Sequence, residues 1–118
     1  MSSCHLDELD IAVIGKRLKL ARVNAGLTQL ELGCRAGLDE ETASSRISQY
    51  EREVNEPDFG LVCQFAAVLD VPEAYFYARD EELALIILQY HYHKKVHPDA
   101  MFGAAFWLPD GSHHSFKL

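Results

Sequence analysis

Gly26-Leu-Thr-Gln-Leu-Glu-Leu-Gly-Cys-Arg-Ala-Gly37, followed by Ile47-Ser-Gln-Tyr-Glu51 and closed by Pro57, reads as a short helix, a turn and a second short helix. Thr28 stands where a helix needs an oxygen to accept from its free N–H groups. Glu31, three residues on, can return the favour to the Thr28 backbone, forming a capping box. Gly26 stops the preceding helix and Gly37 ends this one, each at a position that tolerates left-handed backbone. The next helix is expected to begin at Ala43 or Ser44, with Ile47 and Tyr50 turned inward. Its other side carries small polar residues and an arginine. A helix of that kind can rest on a core and offer its free face to the DNA major groove.

Working outward, Asp7 and Asp10 can cap a first helix running to about Asn24, with Ile14, Leu18 and Ala21 on one face. Leu30 and the stretch from Cys34 to Ala36 are expected to face inward, and Leu38 to Thr42 reads as an acidic turn. Asp58 caps a fourth helix, Phe59 to Leu69, with Leu61, Phe65, Val68 and Leu69 as its apolar stripe. Pro72 suits the first position of a short fifth helix ending near Tyr77. Asp80 caps a sixth helix from Glu81 to about Lys95. There Leu83, Ile86, Ile87 and Tyr90 recur at helical spacing, and Leu85 and Leu88 widen the apolar surface. One packed face cannot hide all of these, which points to a partner subunit. Beyond His97-Pro98, strand-like runs flank Pro109-Asp-Gly and read as a hairpin.

The chain has 118 residues, 48% of them apolar, enough for one compact domain with a modest extension. No apolar run approaches the roughly 18 residues that span a bilayer. The opening Met1-Ser-Ser-Cys-His-Leu-Asp-Glu8 lacks the basic start and apolar stretch of a secretory signal, so a cytoplasmic location is expected. Cys4, Cys34 and Cys63 have no CxxC spacing, which argues against a disulfide framework or structural zinc. Cys34 and Cys63 are expected as small buried hydrophobes. No nucleophile–base pair, phosphate-cradling glycine loop or paired-carboxylate motif stands out. The expectation is a protein that is not an enzyme and needs no cofactor or metal.

Residues Ile14 to Tyr77 resemble the lambda-repressor-like (XRE-type) helix-turn-helix domain. The matching words are Ile14-Gly-Lys-Arg-Leu18, Ala21-Arg22, Gly26-Leu-Thr-Gln29, Leu32-Gly33, Ile47-Ser-Gln-Tyr-Glu51, Pro57-Asp-Phe59 and Val71-Pro-Glu-Ala-Tyr-Phe76. The resemblance implies an all-α fold: a five-helix DNA-binding domain, here in residues 1–79. An additional C-terminal helix and a short β-hairpin tail in residues 80–118 would serve dimerisation. It further implies a transcriptional regulator, repression being the family habit, acting as a homodimer on a palindromic operator in double-stranded DNA. Position by position, Gln29 matches a residue that grips a phosphate. Ser44, Ser45 and Arg46 match the first turn of the recognition helix, and Gln49 its next exposed turn. By base-edge chemistry, Arg46 suits guanine and Gln49 suits adenine. Arg52 is placed for phosphate. Arg22 and Glu51 match a structural salt bridge found in several family members.

Three features depart from the family pattern. The turn from Gly37 to Ile47 is about four residues longer than the commonest form, and its insert, Asp39-Glu-Glu-Thr42, is acidic. Glu53 and Val54 stand where Gly and a basic residue often follow. Glu56 adds a negative charge to a loop that commonly touches phosphate. Between Ala12 and Asp58 seven basic residues face eight acids, so this stretch carries -1 of a total formal charge of -7. That balance predicts weak nonspecific binding and a shallow salt dependence. It also keeps open a different class of function, in which the fold serves a protein partner as an antitoxin, antirepressor or adaptor. His93 and His97 have metal-ligand spacing, but ordinary surface or interface histidines are the reading here. Phe102, Phe106, Trp107 and Phe116 are read as interface rather than ligand pocket.

Overall fold

The computed structural model describes residues 13–99 and the segments Ala105–Trp107 and His113–Ser115. Its helices are α1 (Ile14–Asn24), α2 (Gln29–Arg35), α3 (Glu40–Glu51), α4 (Phe59–Leu69), α5 (Glu73–Tyr77) and α6 (Glu81–Val96). Two short strands, β1 (Ala105–Trp107) and β2 (His113–Ser115), pair antiparallel, with Phe106 opposite His114. The all-α domain and the C-terminal hairpin thus both exist as elements. The Asp7 and Asp10 caps, the side chains of the tail aromatics and those of His113 and His114 lie outside the described residues.

Local signals place most helix ends. Glu31 N–H donates to Thr28 Oγ1 at 3.0 Å and Thr28 N–H to Glu31 Oε1 at 2.8 Å, so the capping box forms. The Thr28 backbone N–H, and after it the Thr28 side chain, hold the Glu31 carboxyl below its usual range. Asp58 accepts from Leu61 N–H at 2.8 Å, and Asp80 from Glu82 N–H at 3.0 Å. Gly26 takes φ +74° at the end of α1, a conformation that costs a Cβ-bearing residue far more than glycine.

α3 departs from the sequence expectation. It begins at Glu40, with Asp39 as an extended N-cap residue, so the acidic stretch is mostly the first turn of the helix rather than a loop. The reason is electrostatic: Glu40 and Glu41 sit against the positive end of the helix dipole. The extra residues therefore lengthen α3. Two inward assignments on α2 also fail. Leu30 is 41% exposed, whereas Leu32 is fully buried, and Cys34 is exposed. Helical spacing sends Leu32 and Ala36 to the core and turns Cys34 out. Cys63 is half-buried.

The core joins Leu18 of α1, Leu32 of α2, Ile47 of α3, Val62 and Phe65 of α4 and Phe76 of α5. Two glycines set how closely the helices approach. A Cβ on Gly33 would lie 2.7 Å from Ala43 Cβ, and one on Gly15 2.6 Å from the carbonyl oxygens of Tyr50 and Glu51. Both distances are below van der Waals contact, so α2–α3 and α1–α3 packing requires glycine there.

α6 closes on this body through Ala84, which is buried, with Ile87 and Leu88 half-buried beside it. Its first turn is pinned by Arg17, which is only 2% exposed. The Arg17 guanidinium donates twice to the Ala78 carbonyl, at 2.9 and 3.1 Å, and once to Glu81 Oε1 at 3.0 Å, and it stacks on the Tyr75 ring. Lys16 pairs with the same carboxylate. Further along, Asp70 accepts from Lys95 Nζ at 2.6 Å and meets His91 Nε2 at 3.1 Å.

Candidate nucleic-acid interface

α2 and α3 form the expected pair, with the second helix presenting its polar side to solvent. Ser44, Ser45 and Arg46 are exposed, and Ser48 and Gln49 are half-buried. By helical spacing Glu41, Ser44, Ser45, Ser48 and Arg52 share one face. Arg46 leaves the helix on the flank of that face, beside Gln49. The added first turn therefore continues the same surface, and it continues it with a carboxylate.

Four of the candidate side chains, Arg46, Gln49, Arg52 and Gln29, have a partner within the protein. Arg46 Nη2 donates to the Tyr50 hydroxyl at 2.7 Å, and its guanidinium carbon lies 5.8 Å from the Tyr50 ring centre. Gln49 Oε1 accepts from Asn55 Nδ2 at 2.6 Å, which ties α3 to the following loop. Arg52 Nε donates to Ser48 Oγ at 3.2 Å. Gln29, at the start of α2, donates from Nε2 to Glu51 Oε1 at 3.1 Å. It retains a second amide hydrogen for another acceptor.

The Gln29 contact belongs to a larger clamp. Arg22 Nε donates to Glu51 Oε2 at 2.5 Å and Nη2 to Oε1 at 3.1 Å, a two-pronged ion pair; Nη1 donates to the Leu27 carbonyl at 2.9 Å. The Glu51 side chain is 4% exposed and that of Arg22 13%. The clamp ties α1, the turn before α2 and the end of α3 into one unit. Gln29 is thus carried by the same carboxylate that fixes α3, while Ser44 and Ser45 project a turn or more away.

The loop after α3 explains one departure from the family pattern. Glu53 adopts φ +63°, a left-handed conformation natural to glycine but strained for a residue with a Cβ. Asn55 and Tyr50 are the partners that sequence reading missed. Only the four-residue spacing between Arg46 and Tyr50 could have indicated the latter.

A helix pair held this way, with a polar exposed second helix, defines the helix-turn-helix class of DNA-binding domain. The family model described as "Helix-turn-helix" matches residues 18–76. "HTH-type transcriptional regulator ImmR" from Bacillus subtilis (strain 168) is 32% identical over 68 residues, covering 58% of this chain and 50% of the relative. The chain thus spans about half the length of that curated relative. The crystal structure of transcriptional regulator BswR aligns with a TM-score of 0.64 at 43% identity, covering 71% of this chain and 88% of that one. The chain belongs to the helix-turn-helix family of the XRE, lambda-repressor-like type.

Among the described residues no helix is long and apolar enough to cross a membrane, and no group of three or more His, Cys, Asp or Glu is arranged to hold a metal.

Proposed function

We propose that the protein is a sequence-specific, DNA-binding transcriptional regulator of the cytoplasm, acting as a repressor and binding a palindromic operator as a homodimer. The observation that carries the reading is the exposed face of α3, where Ser44, Ser45, Arg46 and Gln49 stand on a helix seated on the core by Ala43, Ile47 and Tyr50. Arg46 reads guanine, Gln49 reads adenine, and Gln29 and Arg52 hold phosphates on either side. In keeping with this, the relatives are transcriptional regulators by name. Support for the dimer comes from α6, which leaves Leu83, Leu85, Ile86, Tyr90, Tyr92 and Val96 exposed. A second α6 covers one flank of that surface, with residues 80–118 as the dimerisation region.

The test is fluorescence anisotropy with DNA from immediately upstream of the protein's own gene, beside a scrambled duplex, across about 50–200 mM salt. Tight binding to the upstream duplex alone is the expected result for an autoregulating repressor. Binding to neither duplex at the lowest salt removes the reading. A second reading, a protein-interaction module with little DNA affinity, draws on one observation: Glu40 and Glu41 extend α3 with negative charge on the surface where phosphates would lie. A stoichiometric co-purifying protein together with absent DNA binding would favour it.

A further inference from the structure

The flank position of Arg46 raises the question of what aims it. An arginine on an open helix face samples many rotamers, and a two-pronged contact to a base edge requires one of them. Here the guanidinium is already held. Tyr50 lies one turn further along α3 and is 7% exposed. Its ring packs edge-on against Phe65 of α4, with centres 6.1 Å apart. The ring is thus fixed by the core, while its hydroxyl accepts from Nη2 of the exposed Arg46 at 2.7 Å. One N–H of the guanidinium is committed to that bond. Four remain, enough for a two-pronged edge turned outward.

We propose that Tyr50 is a positioning residue for base readout: its hydroxyl holds the Arg46 guanidinium so that the remaining N–H pair meets the O6/N7 edge of a guanine. The proposal rests on the DNA-binding reading above. It assigns part of the sequence discrimination to a core tyrosine that touches no DNA. The route runs from Phe65 through the Tyr50 ring to the hydroxyl and then to the guanidinium, so packing in α4 sets the aim of a side chain on α3.

The experiment uses the full chain. Wild-type protein first selects its tightest duplex from a randomised pool, and binding is then compared on that duplex and on a scrambled one. Tyr50→Phe keeps the ring and its Phe65 contact but removes the hydroxyl. Preference for the selected duplex is expected to fall about 3- to 10-fold, the effect of one hydrogen bond. Affinity for the scrambled duplex and its salt dependence stay the same, because phosphate contacts are untouched. The loss is concentrated at the base pair where Arg46→Ala also loses preference, and adding Tyr50→Phe to Arg46→Ala costs nothing more. Full preference in Tyr50→Phe, or an equal loss in the Arg46→Ala background, overturns the proposal. Should Tyr50→Phe fold poorly, nitrogen-15 NMR of the wild-type guanidinium decides instead. A slowly rotating, protected Arg46 side chain supports the proposal, and a freely rotating one overturns it. If wild-type protein enriches no sequence, or Arg46→Ala binds as well as wild type, the underlying docking fails and the positioning role fails with it.

Discussion

α3 and α6 are the two longest of the described helices, and their exposed sides differ. α3 buries Ala43, Ile47 and Tyr50 and turns serines, glutamates and Arg46 to solvent. α6 buries only Ala84 fully and turns out apolar side chains on both flanks of its packed face: Leu83, Ile86 and Tyr90 on one, Leu85, Tyr92 and Val96 on the other. A polar exposed face is content in water and can exchange that water for phosphates and base edges. An apolar one loses free energy for every side chain left wet, at about 25 cal/mol per Å². The face of α3 thus needs no cover to be stable in water, whereas α6 would gain stability from any surface that covered it.

The comparison breaks most visibly at the clamp inside the body. Glu51→Ala strands the nearly buried Arg22 charge and frees Gln29 at once. We expect a loss of about 3–5 kcal/mol in urea unfolding, with DNA binding falling alongside. A variant losing less than about 1 kcal/mol would show that the clamp is well hydrated. On α6 the expected effect bears on the proposed dimer: Ile86→Asp leaves the body folded but would weaken self-association about a hundredfold or more, since in that dimer each copy would bury a side chain worth about 1.5–3 kcal/mol. Sedimentation equilibrium reads this directly, and an unchanged molecular mass would place the subunit contact elsewhere.

Acid sharpens the same contrast. Glu81 is held below the usual carboxylate range by Lys16 and then Arg17, and Asp70 by Lys95 and then His91. Both contacts fasten α6 to the body. Protons bind more readily when these carboxylates are released, so their contribution is fully present above the usual carboxylate range. It is lost as pH falls through the lowered values. Hydrogen exchange is expected to show α6 amides opening before those of α3 on acidification. Simultaneous opening would make the two regions one cooperative unit.

Smaller effects belong to the two acidic departures. Glu40→Gln with Glu41→Gln removes favourable charge from the first turn of α3, costing about 0.3–1 kcal/mol per site, yet raises affinity for scrambled DNA at low salt. Stability and binding thus move in opposite directions. Glu53→Gly relieves a left-handed residue and is expected to raise stability by about 1 kcal/mol or less, as thermal melting would read.

Legibility followed the range of the physics. The Thr28–Glu31 box, the Asp58 and Asp80 caps and the Gly26 stop were plain in the sequence because each acts within four residues. The start of α3 was not, since a run of acids suits a solvated turn as well as a helix N-terminus. Of the candidate interface, residue identities were legible but their restraints were not: the Arg46–Tyr50 and Gln49–Asn55 contacts depend on where side chains end up.

By itself, then, the sequence determined the order of the helices, their caps and the membership of a helix-turn-helix domain, through local hydrogen bonding and apolar spacing. Tertiary structure alone decided which side of α6 is covered, because Leu83 to Leu88 are all apolar and periodicity cannot choose among them. It also decided that Arg17 is buried. A charge enters a core only where a carbonyl such as that of Ala78 and a carboxylate such as that of Glu81 converge on it, and residues 61 and 64 positions away become neighbours only when the chain folds.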